Sequence, residues 1–234
     1  MSAMRRGRQV LIFDADDTLW ENNIIFERII DAFLEWVGRP DLTMPARRAV
    51  LDDIERANIA VHGYGTLVFI RSLRDCFERL RGRPASPAER SHIDELALAL
   101  SHRGEVELVP GVADTLADLG GRHDMLLLTK GEVAEQQRKL EASNLAHHFR
   151  SVHIVPEKDV ATYLRLAADQ ALVPTTTWMI GNSPKSDILP ARRAGMNAVF
   201  IPHTHTWALE HDELDLTDAG VLHIAAFTEL LDHF

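Results

Sequence analysis

Five short apolar runs constrain the fold of this chain more than any other feature. A continuous apolar run of four or five residues is typical of a strand buried on both faces of a parallel sheet. Helical patterns separate the last four runs, and this alternation predicts an α/β fold with a doubly wound, Rossmann-like parallel sheet. The runs are VLIF at 10–13, MLLLT at 125–129, SVHIV at 151–155, TWMIG at 177–181 and AVFI at 198–201.

The helices between the later strands carry boundary signals. A helix over residues 132–140 would follow Gly131, and Asp159 can cap the N-terminus of the next helix. Pro190 fits the first turn of a third helix, which would end before Gly195. These positions agree with the α/β alternation.

The long region between the first two runs breaks this alternation. It contains no convincing strand, but apolar residues recur at helical spacing over 26–37 and 67–80. The segment RGRPASPAER at 81–90 is predicted to be a linker, after which the helical pattern continues over 91–100. About 90 residues is far more than a crossover between strands requires. We therefore predict two domains: an α/β core of residues 1–20 and 109–234, and a smaller all-helical domain of residues 21–108 inserted into it.

Composition limits the partners of the chain. The 234 residues include 25 Lys and Arg against 35 Asp and Glu, a formal net charge of -10. This charge disfavours sequence-independent binding to nucleic acid, so an anionic ligand must be attracted by a local site. No apolar run approaches the roughly 20 residues that span a bilayer, and the single Cys76 excludes an internal disulfide. We expect a cytoplasmic protein with neither a membrane nor a nucleic-acid partner.

Chemically active residues come directly after the predicted strands. In open α/β sheets, ligands bind beyond the carboxyl ends of the strands, so these residues are expected to share one cleft. Carboxylates, a hydroxyl and an ammonium gathered in this way suit phosphoryl transfer. Carboxylate and carbonyl oxygens also suit Mg²⁺. The residues are Asp14 and Asp16 after the first run, Thr129 at the end of the second, Glu157 and Lys158 after the third, and Asp187 after the fourth.

Four motifs in this order resemble those of the haloacid dehalogenase superfamily of hydrolases, most of whose members are phosphatases. The segment DADDT at 14–18 is similar to the nucleophile motif of that family, and LLLTK at 126–130 is similar to its Ser/Thr motif. Lys158 in PEKD matches the lysine motif, and GNSPKSD at 181–187 matches the acidic motif. The resemblance covers the whole chain, and it implies that the helical domain is a cap.

The resemblance implies a role for each matching residue. Asp14 would attack phosphorus and form an aspartyl-phosphate intermediate. Asp16 would protonate the leaving oxygen and then activate water for the second step. Thr129 would donate a hydrogen bond to the phosphoryl group. Lys158 would neutralise its equatorial oxygens and restrain Asp14.

The resemblance also implies a Mg²⁺ site. Its ligands would be Asp14, the backbone carbonyl of Asp16, Asp187 and Asn182. Asn182 departs from the family pattern, which commonly has Asp at this position. An amide oxygen can still face the metal or a bound water, but it brings no charge and would lower metal affinity.

Lys130, three histidines and four residues of the predicted cap are further polar candidates for contact with the substrate. Lys130 follows Thr129 where the family frequently has a small polar residue, and it either contacts substrate phosphate or is a solvated loop lysine. The spacing of three histidines after the last run matches no metal-binding pattern, so we predict a polar loop at the rim of the cleft. These are His203, His205 and His211. Candidates for selecting the leaving group from the cap are His62, Tyr64, Arg71 and Arg74.

The expected function is Mg²⁺-dependent hydrolysis of a small phosphorylated metabolite, and three alternatives stay open. A phosphomutase would return the phosphoryl group to its substrate. A 2-haloacid dehalogenase needs neither a metal nor an acid two residues after its nucleophile, so Asp16 counts against it. A non-catalytic module that binds a phosphorylated metabolite would not need Asp16 beside Asp14. The sequence does not indicate an oligomeric state.

Overall fold

The computed structural model describes residues 7–101, 106–215 and 217–234, and for residues 98–101 it describes only the backbone. The described chain divides into two compact units. The α/β unit has the bounds Met1–Asn22 and Glu105–Phe234, and the helical unit has the bounds Asn23–Gly104. These bounds lie within a few residues of the domain boundaries that the sequence predicts.

A six-stranded parallel sheet forms the α/β unit, so the predicted fold class is confirmed. All five apolar runs form strands within one residue of their predicted bounds. The sixth strand was not predicted, because three residues are too few to show a period. In the order β3-β2-β1-β4-β5-β6, the strands are β1 (Val10–Phe13), β2 (Asp124–Lys130), β3 (Ser151–Val155), β4 (Thr177–Gly181), β5 (Asn197–Phe200) and β6 (Val221–His223).

Both faces of the sheet are buried, which explains why the central strands are continuously apolar. Leu11 and Phe13 of β1 belong to a core on one face, together with Phe227. Ile12 belongs to the core on the other face, together with Tyr163. Successive side chains of a strand point to opposite faces, so every position of a strand between two apolar cores favours an apolar residue.

Within the described residues, five α-helices accompany these strands. Glu132 caps the first of the three predicted helices with its side chain, and Asp159 Oδ1 accepts a hydrogen bond from Thr162 N at 2.8 Å at the start of the second. Pro190 lies in the first turn of the third, as predicted. The helices are α5 (Val112–Gly120), α6 (Val133–Ser143), α7 (Val160–Asp169), α8 (Leu189–Arg193) and α9 (Leu230–His233).

In the described part of the second unit, four helices pack around an apolar core of their own, which includes Phe33, Leu51, Leu73 and Phe77. They are α1 (Asn23–Val37), α2 (Met44–His62), α3 (Thr66–Arg81) and α4 (Pro87–Ser101). Among the described residues, no helix has the length and apolar character needed to cross a membrane.

The linker predicted at residues 81–90 is too long. Helix α4 begins at Pro87, because a capping box starts it one turn earlier than the periodicity indicates. Ser86 Oγ accepts a hydrogen bond from Glu89 N at 3.3 Å, and Glu89 Oε2 accepts one from Ser86 N at 2.8 Å. The S-P-A-E pattern in the sequence was the signal for this start.

Helix α3 supplies a matched test of the helical core. Leu73 is 0% exposed and Leu67 is 80% exposed, and both lie on the same helix. We expect Leu73→Ala to lower the free energy of unfolding of this unit by about 2–5 kcal/mol, because it removes buried apolar contacts and leaves a cavity. We expect Leu67→Ala to change it by less than about 0.5 kcal/mol. Urea denaturation followed by circular dichroism measures both, and equal losses would contradict the assignment of this core.

Candidate active site

The parallel register brings the ends of β1, β2 and β4 to one edge of the sheet. The last residue of β1 pairs with Leu127 in β2 and with Ile180 in β4. Asp14 follows β1 directly, and its backbone N–H donates to the carbonyl oxygen of Ile180 at 2.9 Å. Thr129 and Asn182 each lie two residues beyond these partners, and both are buried. The predicted convergence at the strand ends is therefore present for these three positions.

A buried ammonium joins the first and fourth motifs. Lys158 Nζ donates hydrogen bonds to Asp14 Oδ1 and, at 2.7 Å, to Asp187 Oδ1. Lys158 is 3% exposed, Asp14 is 6% exposed and Asp187 is 0% exposed. Burial opposes the charge on Lys158, but Asp14 and Asp187 outweigh it and raise the pKa of the ammonium. Because charges this deep need partners, one lysine between two carboxylates ties these strand ends together.

The same cluster disfavours ionisation of Asp14. Burial and the neighbouring Asp187 carboxylate raise the pKa of Asp14 to about 7, although Lys158 opposes the shift. Two carboxylates share one ammonium here, so the cluster has one negative charge too many. Additional positive charge would favour the ionised form of Asp14.

Asp187 fits only because Gly181 has no side chain. A Cβ at Gly181 would lie 2.2 Å from Asp187 Oδ2. Asp187 itself lies in a π-helical turn, Pro184–Ile188, just before α8. Its Oδ2 accepts a hydrogen bond from Ser183 N at 2.9 Å, so both carboxylate oxygens have partners.

Thr18 connects the nucleophile motif to Asn182. Its Oγ1 lies 3.1 Å from Asp14 Oδ2 and 3.2 Å from Asn182 Oδ1. A hydroxyl has one proton, so it can donate to only one of these two oxygens at a time. While Asp14 is ionised, the other of these two buried oxygens accepts no hydrogen bond from the described residues.

These oxygen atoms fit a hard divalent cation. Asp14 Oδ2 and Asn182 Oδ1 lie 3.1 and 3.2 Å from Thr18 Oγ1, and when Asp14 is ionised a cation could interact with the oxygen that Thr18 does not serve. Oxygen ligands with few carboxylates are the donor set that Mg²⁺ prefers. The set predicted from the sequence, with Asp187 and the backbone carbonyl of Asp16, is compatible with this chemistry.

Asp16 is held by three donors that the sequence did not reveal. Lys139 Nζ lies 2.9 Å from both carboxylate oxygens of Asp16, Gln136 Nε2 lies 2.8 Å from Oδ2 and Trp20 Nε1 lies 2.7 Å from Oδ1. Burial raises the pKa of Asp16, but Lys139 and these N–H groups outweigh burial and keep it below its usual value. Asp16 is therefore a well-compensated carboxylate in this conformation. Lys139 also donates to Asn22 Oδ1 at 2.8 Å.

Lys130 forms an ion pair and hydrogen bonds within the protein. Its Nζ donates to Glu210 Oε1 at 2.6 Å and to Ser186 Oγ at 2.7 Å, and it lies 3.5 Å from Glu157 Oε1. Glu210 is buried, and its Oε2 accepts from Ser183 Oγ at 2.6 Å. The loop-lysine interpretation is therefore wrong, and the contact of Lys130 with phosphate stays a prediction. In the structure, Lys130 connects the end of β2 to the turn after β4, through Ser186, and to the turn that carries Glu210.

The histidine segment after β5 packs beside the site as a polar loop. His203 Nε2 lies 3.1 Å from Glu21 Oε2, and His203 Nδ1 accepts from His205 N at 3.3 Å. With Asp17, these side chains form a group whose ligand-type atoms all lie within 4.8 Å of one another. Both ring nitrogens of His203 already have protein partners, so hydrogen bonding accounts for the group. His211 is exposed and bonds instead to the carbonyl oxygen of Thr206 at 3.1 Å.

The four residues proposed to select the leaving group all lie in the helical unit. Arg74 Nη2 bonds to Asp94 at 2.5 and 2.7 Å, and Arg71 lies 3.9 Å from Asp75. His62 ends α2, and Tyr64 lies between α2 and α3. Their role in selection stays a prediction.

The raised pKa of Asp14 predicts how stability depends on pH. The native metal-free protein keeps a proton on Asp14 up to about pH 7, whereas the unfolded chain loses it near pH 4. This contribution to stability is full below about pH 4 and is lost as the pH rises to about 7. At each pH, the free energy of unfolding of Asp14→Asn is compared with that of wild type. We expect this difference to change by about 1–4 kcal/mol in favour of Asp14→Asn when the pH is raised from 4.5 to 8.

Urea denaturation in excess chelator at both pH values measures this difference. Asp232→Asn, which removes an exposed carboxylate on α9, controls for the change in net charge. An equal pH dependence for wild type and Asp14→Asn would show that Asp14 is not the destabilised group.

A curated protein is similar in sequence to part of this chain. A curated phosphoserine phosphatase from Thermus thermophilus is 32% identical over 138 residues, which are 56% of this chain and 53% of that protein. The chain thus spans about half the length of that relative.

Solved structures share the fold over nearly the whole chain. A haloacid dehalogenase-like hydrolase from Xanthomonas campestris has a TM-score of 0.80 at 23% identity, covering 96% of this chain and 93% of its own. A 2-haloacid dehalogenase from Pseudomonas syringae pv. Tomato has a TM-score of 0.60 at 19% identity, covering 96% of this chain and 97% of its own. The family model of the haloacid dehalogenase-like hydrolases matches residues 9–195. The chain belongs to the haloacid dehalogenase-like hydrolases.

Proposed function

We propose that this hydrolase is a Mg²⁺-dependent phosphatase that cleaves small phosphomonoesters through an aspartyl-phosphate on Asp14. The observation that carries the proposal is the buried Lys158 ammonium between Asp14 and Asp187, with a third carboxylate, Asp16, two residues after Asp14. A nucleophilic carboxylate repels a phosphate dianion, so a site for this reaction needs concentrated positive charge. A bound Mg²⁺ would supply further charge neutralisation.

The residues of the chain fit two successive displacements. In the first, an oxygen of Asp14 forms a bond to phosphorus, the ester P–O bond breaks and the leaving oxygen takes up a proton. In the second, water attacks phosphorus, the bond to Asp14 breaks and a proton passes from water to a base. Lys158 would neutralise charge on the phosphoryl oxygens in both steps. Thr129, buried near the end of β2, would donate a hydrogen bond to one of them.

Asp16 would serve as the acid in the first step and the base in the second. In the present conformation both of its oxygens are occupied by donors, so it has the form of the base. To deliver a proton in the first step, Asp16 must give up at least one of these contacts. A rotation of the Asp16 side chain away from Lys139 would therefore precede or accompany attack.

The similar proteins suggest two reactions to separate first. The phosphoserine phosphatase relative supports phosphate ester hydrolysis, and the solved 2-haloacid dehalogenase shares the fold. Asp16 favours the phosphatase, because displacement of a halide needs no proton donor beside the nucleophile. Phosphoserine is therefore the first ester to test, and 2-chloropropionate is the matched dehalogenase substrate.

The decisive measurement is phosphate release from phosphoserine and a panel of other phosphomonoesters, with Mg²⁺ and with excess chelator. We expect Mg²⁺-dependent release, and we expect Asp14→Asn to reduce it by more than about a thousandfold because it removes the nucleophile. Acid-quenched mass spectrometry should find one phosphoryl group on Asp14 in wild type. Asp232→Asn is the control. Halide release from 2-chloropropionate without phosphate release would replace the phosphatase by a dehalogenase.

A second prediction separates the roles of Asp16. We expect Asp16→Asn to slow single-turnover phosphorylation of Asp14 by about 10²–10⁴-fold for alkyl phosphates, whose leaving oxygen needs a proton. The loss should be much smaller for p-nitrophenyl phosphate, whose leaving group departs as a stable anion. Rapid-quench kinetics with both esters measures the difference. Equal losses would exclude Asp16 as the acid of the first step.

A further inference from the structure

A chain of hydrogen bonds reaches Asn182 from the loop that follows β5. Asn182 Nδ2 donates to Thr206 Oγ1 at 3.1 Å, and Thr206 Oγ1 donates in turn to the carbonyl oxygen of His203 at 3.0 Å. The other end of the amide, Asn182 Oδ1, faces Thr18 Oγ1 at 3.2 Å. The side chain of Asn182 therefore has a different partner on each side.

The loop fixes the position of Thr206 independently of Asn182. The backbone N–H of Thr206 donates to the same His203 carbonyl at 3.1 Å, which closes a short turn. The Thr206 carbonyl accepts from His211 Nε2 at 3.1 Å, and His203 is held by Glu21. The Thr206 hydroxyl is thus held in place. It donates its proton to the backbone carbonyl of His203 and accepts a hydrogen bond from the amide of Asn182.

The opposite orientation of the amide is the competitor. After a half-turn, Asn182 Nδ2 would donate to Thr18, and the Thr18 proton would go to Asp14. That arrangement satisfies Thr18, but it directs an N–H₂ group, which cannot ligate a cation, toward Asp14. An aspartate would not face this choice, because both ends of a carboxylate are oxygen. A neutral Asn at this position therefore needs a neighbour that selects its orientation.

We propose that Thr206 is a positioning residue, which keeps the oxygen of Asn182 directed toward Asp14 and the divalent cation. A hydroxyl whose proton is committed to a backbone carbonyl can only accept, so it selects the NH₂ end of the amide. This device lets Asn182 contribute to the site without a charge. The inference rests on the Mg²⁺ site of the proposed function.

The test is the affinity of the metal-free protein for Mg²⁺, measured by isothermal titration calorimetry without substrate. Removing one such hydrogen bond should weaken binding by about 2- to 10-fold in Thr206→Val. Thr206→Ser keeps the hydroxyl and should bind within about twofold of wild type. In the Asn182→Asp background, Thr206→Val should have less than about a twofold effect, since a carboxylate has no wrong orientation.

Three results would overturn the inference. Thr206→Val could bind Mg²⁺ as tightly as wild type, Thr206→Ser could be as weak as Thr206→Val, or Thr206→Val could weaken binding equally in the Asn182→Asp background. The last result would mean that Thr206 only stabilises the loop. Thermal unfolding verifies that each variant is folded, and Thr206→Ala replaces Thr206→Val if the valine variant is not.

Wild type and Asp187→Asn separate this inference from the proposed function. Mg²⁺ binding by wild type that Asp187→Asn abolishes establishes the site, and the Thr206 variants then decide the inference alone. If wild type binds no Mg²⁺, the metal dependence of the proposed function and the inference both fail. If Mg²⁺ binds and Thr206 has no effect, the inference fails while the proposed function stands.

Discussion

The ammonium of Lys158, buried between the carboxylates of Asp14 and Asp187, is the interaction on which the rest of the site depends. Lys158 is 144 positions from Asp14 and 29 positions from Asp187 in the sequence. Desolvation makes each of these charges costly alone, so the three must stay together. Burial raises the pKa of Asp14, and the negative excess of two carboxylates against one ammonium raises it further. The site is therefore built to receive further positive charge.

Around this cluster, the polar side chains hold one another by directed hydrogen bonds. Lys139 neutralises Asp16, and Lys130 pairs with Glu210 beneath the fourth motif. The first ion pair ties Asp16 to α6, and the second ties the end of β2 to the turn that carries Glu210. A lysine on one element and a carboxylate on another thus recur as the means by which loops of this protein are fixed.

Local sequence patterns predicted the framework well. The runs of β1, β2 and β4 form strands that are buried on both faces, whereas the run of the edge strand β3 is only partly buried. Asp159 and Pro190 mark helix starts through capping and a fixed φ angle. The failures were also local. The last strand, Val221–His223, is too short to show a period, and the capping box at Ser86 was overlooked within a segment rich in Pro and Arg.

The sequence by itself determined the α/β alternation, the helical unit and the residues at the strand ends, since these follow from nearest-neighbour periodicity and from the rule that parallel strands end at one edge. Only the tertiary structure decided the partners of those residues. The sequence around Lys130 is equally typical of a solvated lysine, but the fold places Glu210, 80 positions away, beside it. Lys139 meets Asp16 across 123 positions, and Thr206 orients Asn182 across 24. Such pairings depend on which side chains the folded backbone brings within about 3 Å, and periodicity along the chain does not contain that information.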